Sequence, residues 1–273
     1  MKQFILLFII ILQSCHPYKK IHTPHRISNT TGSSFYETAS AFTWKQRDSF
    51  VLKEIFSGNM PAFLKKFVPV TVETMDSVSG KIIKAVFYTA PDYLSVGTDN
   101  NWARINITPN AAQKIADSLD CFLPTKKMVD DIYHAAVVKL APVPMYTLRD
   151  STPTMYHHHL IIEGQRKGRK GLIAGIKKDV VISGNISRDP RPDRVAIYGW
   201  HQLNGIPIQP LYTGHVFWWV DYSQGIRLVY RKMKVYIGSS KGVWMDYTDI
   251  LKNAQLQKLI CDEQYCDFYK YPY

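Results

Sequence analysis

The residues from Tyr198 to Gly225 carry most of the side chains in this chain that could do chemistry. The segment reads YGWHQLNGIPIQPLYTGHVFWWVDYSQG and holds two histidines, one aspartate and many aromatic rings. Imidazole and carboxylate groups bind zinc, and a zinc with one open position turns bound water into a nucleophile. One hypothesis is therefore a hydrolase with His201, His215, Asp221 and Asp179 as catalytic residues, His201 and Asp179 as metal ligands, and zinc as cofactor.

The spacing within this segment limits such a site. If HVFWWVDY is a strand, His215 and Asp221 lie on one face but about 20 Å apart, at ~3.3 Å per residue. They cannot both bind one metal, so a site would combine His201 with one of them and a third group. The candidates for that third group are Asp179 in KKDVV and the histidines of YHHHL.

Two further patterns bear on a hydrolase. The pair Trp200 and His201 resembles the tryptophan-histidine pair of zinc-dependent peptidases that cut D-amino-acid cross-links in cell walls, which implies a wall peptide as substrate. The SxHxxGxAxD ligand motif of those enzymes is absent. A serine nucleophile is the alternative, but Ser223 lacks the GxSxG turn that exposes such a serine.

The aromatic residues allow two readings that need no catalysis. Trp200, Tyr212 and Trp219 could line a groove that binds a glycan or a protein partner, because their rings pair a flat apolar face with a polar tip. Alternatively, the tryptophans fill a core and the histidines lie at its edge. Whether the protein is an enzyme therefore stays open at the level of sequence.

The amino terminus has the pattern of an export signal. Phe4 to Leu12 is an apolar run of nine residues, whereas a membrane-spanning helix needs about 20. Residues 1–14 are therefore predicted to be a signal peptide. Leu12-Gln13-Ser14-Cys15 resembles a bacterial lipobox, although Gln13 is bulkier than the usual small residue. The resemblance implies an acylated Cys15, carrying palmitate or a similar chain, and a lipoprotein anchored in membrane lipid of the cell envelope, outside the cytoplasm. An ordinary signal peptide cut nearby is the alternative.

Composition divides the rest of the chain. Residues 15–34 are polar and rich in turn formers, which predicts a flexible tether, and residues 35–273 are predicted to form one domain.

The net charge of the chain is +12. For an exported protein this favours phospholipid headgroups or an anionic cell-wall polymer as partners, not nucleic acid. The basic stretch QRKGRKG at 165–171 is interpreted as a solvated hairpin loop.

The cysteines suggest one disulfide. Besides Cys15 the chain has Cys121, Cys261 and Cys266, and an exported protein can form disulfides. Three pairings are possible, of which Cys261 with Cys266 is favoured by the short CDEQYC segment. We expect the remaining cysteine to be buried.

The periodicity of the chain changes along its length. Helices are predicted for ASAFTWKQRDSFVLKEIFSG, for NAAQKIADSL after Thr108-Pro109, for KKMVDDIYHAAVVKL after Thr125, and for TDILKNAQLQKLI. Strands are predicted for VTVETM, KAVFYTA, YHHHLIIEG, GLIAGI, DVVISG, RVAIYGW, HVFWWVDY and IRLVYRKMKVYIG. This order predicts an α+β fold, with N-terminal helices packed on a mostly antiparallel, aromatic-rich C-terminal sheet.

Several motifs together resemble a family of uncharacterised exported bacterial proteins. These motifs are PDYLSVGTD, LPTKKMVDDIY, KKDVV, YGWH, IQPLY and DYSQGIRLV, and they cover the chain from about residue 50. Members of this family often read DYSHG where this chain has Gln224. The resemblance carries no activity that could be transferred to this chain.

Overall fold

The structure is a computed structural model that describes residues 18–77, 79–238 and 241–273. The predicted signal peptide and Cys15 lie outside the described residues. Within these ranges, no helix is both long and apolar enough to span a bilayer.

The described residues form seven α-helices, two short 3-10 helices and fifteen strands. The α-helices are α1 Gly32–Thr38, α2 Trp44–Phe56, α3 Pro109–Ser118, α4 Lys126–Ala135, α5 Thr152–Arg166, α6 Gly184–Arg188 and α7 Tyr247–Lys252, with short 3-10 helices at Ala62–Lys65 and Gln257–Leu259. The strands are β1 Lys19–Lys20, β2 Lys66–Met75, β3 Ile82–Thr89, β4 Ser95–Gly97, β5 Trp102–Arg104, β6 Cys121–Phe122, β7 Val138–Lys139, β8 Ile173–Ala174, β9 Lys178–Val181, β10 Arg194–His201, β11 Pro207–Val216, β12 Gln224–Gly225, β13 Val229–Tyr230, β14 Lys232–Ile237 and β15 Val243–Asp246.

Two sheets organise the fold. The larger sheet has seven strands. Five follow the order β1-β2-β3-β13-β6, β14 pairs with β3, and β15 pairs with β14. All these pairs are antiparallel. The smaller has the order β11-β10-β9-β12, in which only the β12–β9 pair is parallel. The fold is α+β with mostly antiparallel sheets, as the sequence predicts.

The helices whose ends carry clear local signals lie where the sequence places them. The side chain of Thr108 accepts a hydrogen bond from the backbone N–H of Ala111, and Pro109 opens α3. Thr125 caps α4 in the same way. A capping side chain satisfies backbone donors that have no partner within the helix, which fixes the start of each helix. Helix α4 ends earlier than predicted, because Val138 and Lys139 form strand β7, which pairs with β8.

The predicted strand YHHHLIIEG is wrong, because these residues lie in helix α5. Ser151 caps this helix and Pro153 lies in its first turn. The buried positions follow the helical period of three and four residues; they are Met155, His158, His159, Ile162 and Arg166. The basic stretch at 165–171 is consequently the end of a helix and the turn after it, not a hairpin loop.

The predicted strand HVFWWVDY is also wrong beyond its second residue. Strand β11 ends at Val216, paired with Arg194. The backbone then turns, with the N–H of Trp219 donating to the carbonyl of Val216 at 3.1 Å. Trp218 and Trp219 are 41% and 39% exposed. These two rings therefore do not fill the core.

The predicted tether is packed on the domain from the first described residues. Lys19 and Lys20 pair with β2, and Ile21 is buried against the core. Helix α1 begins at Gly32, before the predicted domain start. The composition of the segment is that of a loop, but backbone pairing and one apolar anchor hold it to the large sheet.

The cysteines form the disulfide that the short CDEQYC segment predicts. Cys261 and Cys266 form a disulfide with a Cα–Cα distance of 6.2 Å. Cys121 is free and buried, and burial raises the pKa of its thiol well above the usual value.

Candidate functional site

The smaller sheet brings together three short segments that hold most of the predicted site residues. Lys178 in β9 pairs with Gly199 in β10 on one side and with Gln224 in β12 on the other. The register of β10 shifts near Gly199, and Trp200 has a φ of 58°. A positive φ is unusual for a bulky residue and marks a constrained backbone.

His201 is held by a partner that the sequence did not indicate. Its Nε2 lies 2.8 Å from Oδ1 of Asp130 on helix α4, and the ring stacks on Tyr133 with centroids 4.5 Å apart. The hydroxyl of Tyr198 donates to the same carboxylate oxygen at 2.8 Å. Burial alone would raise the pKa of Asp130, but the bonds from His201 and Tyr198 and the charge of Lys126 hold it below its usual value.

Asp179 lies in a small enclosed cavity next to His201. Its Oδ2 accepts a hydrogen bond from the Tyr93 hydroxyl at 2.8 Å, while Oδ1 has no hydrogen-bond partner in the described residues and is 3.7 Å from Nε of Arg227. Burial raises the pKa of Asp179 to about 6. The cavity measures about 10 Å³, close to the minimum for one water molecule.

Lys177 lines the same cavity from the other side. Its ammonium donates to the backbone carbonyl of Tyr222, and the side chain is almost fully buried. Burial lowers the pKa of Lys177 to about 7, and the charge of Arg104 adds to this effect. Asp179 and Lys177 are thus two buried titrating groups close to neutrality, a pattern typical of functional sites.

Asp221 belongs to a second cluster. Its Oδ2 accepts from Arg149 at 2.8 Å, and its Oδ1 accepts from the N–H and the hydroxyl of Ser223 at 2.9 and 2.6 Å. Burial lowers the pKa of His215, and the charge of Lys178 lowers it further. The Lys178 ammonium lies 5.3 Å from the centre of the Trp200 ring and has no hydrogen bond or ion pair among the described residues.

The structure therefore brings the predicted catalytic residues together in two pairs, not in one site. Asp179 and His201 share the enclosed cavity, and His215 lies near Asp221 in the second cluster. Within the described ranges, no three His, Cys, Asp or Glu side chains are placed to hold a metal ion. Nε2 of His201 contacts the carboxylate of Asp130. Zinc binding by His201 and Asp179 stays a prediction.

Of the three histidines in YHHHL, His158 and His159 on helix α5 are buried, whereas His157 is exposed. Nδ1 of His159 lies 3.3 Å from the Arg104 guanidinium, which itself binds Asp92 through two hydrogen bonds of 2.8 and 2.6 Å and Glu163 through one of 2.8 Å. Burial and the charge of Arg104 lower the pKa of His159 to about 3. We call Arg104, Asp92, Glu163 and Arg166 the buried ionic network.

A groove opens at the surface above this network. It has a volume of about 560 Å³, and we call it the aromatic groove. Its lining comprises Tyr18, Ala62, Phe63, Lys66, Val68, Pro91, Asp99, Trp102, Glu163, Arg166, Gly168, Lys170 and Gly171.

Two rings and one guanidinium form the centre of the aromatic groove. The rings of Phe63 and Trp102 meet edge to face, with centroids 5.0 Å apart. The Arg166 guanidinium lies 5.6 and 5.5 Å from their centres, within the range of cation–π attraction. Sequence reasoning missed this groove, because its residues come from separate parts of the chain and no motif joins them.

The stacking residues predicted from the sequence are only partly available. Trp200 is buried at 5% exposure, whereas Tyr212 and Trp219 are 45% and 39% exposed. The predicted three-ring surface is thus reduced to two exposed rings, and a role for these two remains a prediction.

Comparison with known proteins gives no relative. No family model matches the chain, and neither the curated proteins nor the solved structures contain a significant match.

Proposed function

We propose that this protein is a lipoprotein of the cell envelope, anchored through Cys15, that binds a glycan in the aromatic groove. The observation that carries the proposal is the pair of rings, Phe63 and Trp102, at the centre of an open groove with a charged rim. Binding without catalysis is the function that this arrangement supports best.

The groove has the size and lining that a sugar requires. Its volume of about 560 Å³ lies within the range of ordinary ligand pockets, roughly 300–1,000 Å³. The apolar face of a sugar ring packs against aromatic side chains. Lys66, Lys170 and Glu163 lie on the lining and offer donors and an acceptor for hydroxyl groups. The two lysines also favour a glycan with acidic substituents.

Hydrogen bonds hold the charged side chains at the rim of the groove in place without a ligand. Nε of Arg166 donates to the carbonyl of Arg169 at 2.7 Å, and its NH1 lies 3.4 Å from Glu163. Glu163 is in turn held by the fully buried Arg104. A preformed site loses less conformational entropy on binding, which raises affinity.

Two of the polar residues predicted for a zinc hydrolase are engaged by other partners. His201 is bonded to Asp130, and Asp221 to Arg149 and Ser223. Bringing His201 and Asp221 to a common metal would break these bonds and leave buried charges without partners, which is costly.

The direct test measures binding of purified envelope glycans to the full chain and its variants. We expect Trp102→Ala and Phe63→Ala to weaken binding about tenfold or more, as removal of a central aromatic contact does. Trp219→Ala is the matched control, because it removes an exposed ring outside the groove, and a metal chelator should have no effect. Loss of binding in Trp219→Ala but not in Trp102→Ala would refute the groove assignment.

The anchor has its own test. We expect the wild-type protein to fractionate with membranes and to incorporate labelled fatty acid, and Cys15→Ser to abolish the labelling and release the protein. Unchanged fractionation and labelling in the variant would rule out this anchor, whatever the groove binds.

A hydrolase that acts on cell-wall peptide or glycan is the second candidate. The observation in its favour is the cluster around Asp221, where burial lowers the pKa of the Lys178 amine, as is useful for acid-base catalysis. Release of soluble fragments from isolated wall material, resistant to chelator and lost in Lys178→Met, would support it. Wall material that stays intact would leave binding as the function.

A further inference from the structure

The first described residues form an arm that is fixed to the domain beside the aromatic groove. Lys19 and Lys20 pair with Phe67 and Lys66 of β2. The backbone N–H of Ile21 donates to the carbonyl of Lys65 at 3.0 Å. Backbone pairing at this point fixes the position of the arm's basic side chains relative to those of the strand.

The arm and the domain enclose a second surface cavity, which we call the basic cleft. Its volume is about 530 Å³. The lining comprises Lys20, Ile21, His22, Thr23, Pro24, His25, Arg26, Ala62, Lys65 and Lys66. Four of these side chains are cationic and none is acidic, so the lining carries an excess of positive charge.

Among the residues that the structure describes, the cations of the basic cleft have no acidic partner at close range. Lys20, Lys65 and Lys66 form no ion pair within 4.0 Å among the described residues. Arg26 instead donates to the backbone carbonyls of Ser28 and Thr30, which fixes its position. Like charges held together repel one another, and a bound anion would relieve this repulsion.

The pKa of Lys65 reflects both its burial and the neighbouring cations of the basic cleft. Burial lowers the pKa of Lys65, Asp99 acts against this effect, and the neighbouring charges of Arg26 and Lys20 lower the pKa further. The carboxylate of Asp99 accepts a hydrogen bond from the backbone N–H of Ala62, and it pairs with no lysine of the described ranges at close range.

We propose that the basic cleft docks on the anionic phosphate headgroups of the membrane in which Cys15 is anchored. The proposal rests on the anchor proposed above. Lys20 follows Cys15 by five residues, a span of about 17 Å at most when fully extended. An acylated Cys15 therefore holds the cleft at the bilayer surface, where anionic lipids attract each nearby Lys or Arg.

Docking in this orientation also fixes where a ligand in the aromatic groove would lie relative to the membrane. The groove and the basic cleft share Ala62 and Lys66 in their linings, so they are neighbours on one surface. A glycan in the groove would then be bound at the level of the headgroups, as is expected for a glycan attached to the membrane itself.

The test uses residues 16–273, which include every residue that the structure describes and exclude both the signal and the acylated cysteine. Sedimentation with vesicles measures binding to phosphatidylcholine alone and to an equimolar mixture with phosphatidylglycerol. We expect binding to the mixture only. Lys65→Gln/Lys66→Gln should weaken it about 25-fold, from a loss of about fivefold for each cation. Lys114→Gln/Lys258→Gln is the matched control, because neither lysine lines the cleft, and we expect it to bind as the wild type does.

Three results would overturn the docking proposal. They are equal binding to both kinds of vesicle, an equal loss in the control variant, and binding of inorganic polyphosphate without binding of vesicles. Because no acyl chain is present, a failure here is distinct from a failure of the anchor, which the labelling of Cys15 tests separately.

Discussion

The charged side chains of the buried ionic network and of the basic cleft differ in burial and in pairing. Arg104 and Asp92 are almost fully buried and bound to each other through two hydrogen bonds. Lys20 and Lys66 are exposed and have no ion-pair partner among the described residues. A buried charge is costly unless a partner within the fold compensates for its lost hydration. An exposed charge stays hydrated without a partner and is therefore available to bind a ligand. The difference separates charges that hold the fold from charges available for binding.

The largest expected effect comes from breaking the buried ionic network. Burial alone would raise the pKa of Asp92, but the Arg104 guanidinium holds it below its usual value. Arg104→Met leaves this carboxylate buried without its partner, so we expect a loss of about 3–5 kcal/mol in the free energy of unfolding. Denaturant titration measures it.

Two further variants sharpen this first prediction. Arg188→Met removes an ion pair with Asp267 at the surface, and we expect it to leave stability unchanged. Arg104→Met/Asp92→Asn removes both buried charges and should recover part of the loss. Equal stability of Arg104→Met and Arg188→Met would contradict the distinction between the two regions.

The second prediction concerns the pH dependence of stability. Because burial lowers the pKa of Lys177 to about 7 from an unfolded value of about 10.4, the unfolded chain binds more protons between these values. Stability therefore rises with pH across this window. We expect Lys177→Met to remove this contribution, as measured by the difference between the unfolding curves of variant and wild type from neutral to alkaline pH. A pH-independent difference would show that Lys177 keeps its ordinary pKa.

The smallest expected effect on stability comes from the basic cleft. Lys65→Gln/Lys66→Gln removes repulsion between unpaired cations and breaks no ion pair, so the free energy of unfolding should change by no more than about 0.5 kcal/mol, typical of surface substitutions. Thermal unfolding checks this. A large loss would mean that these lysines hold the fold, and the contrast with Arg104 would fail.

The sequence predicts correctly the helices whose first residues carry capping or proline signals. It fails for segments whose structure depends on contacts with residues far away in the chain. The cap at Thr108 and the proline after it predicted α3 correctly. The sequence predicts a strand where helix α5 lies, because Tyr and Ile are typical of strands, whereas the burial of the segment follows a helical period.

The site was predicted less well for the same physical reason. The sequence singles out His201, but its partner Asp130 is 71 residues away on helix α4. Phe63, Trp102 and Arg166 belong to a 3-10 helix, a strand and a helix, and only the folded chain brings them together. The envelope location and the acylation of Cys15 remain predictions from the amino terminus.

Hydrogen exchange with and without the glycan is the measurement that tests the central claim most directly. If the glycan occupies the aromatic groove, amide exchange should slow at residues 62–66, 99–104 and 163–171, and should stay unchanged along strand β11 and the turn after it. Protection confined to residues 207–224 in a protein that binds the glycan would contradict the account and return the site to the exposed rings of Tyr212 and Trp219.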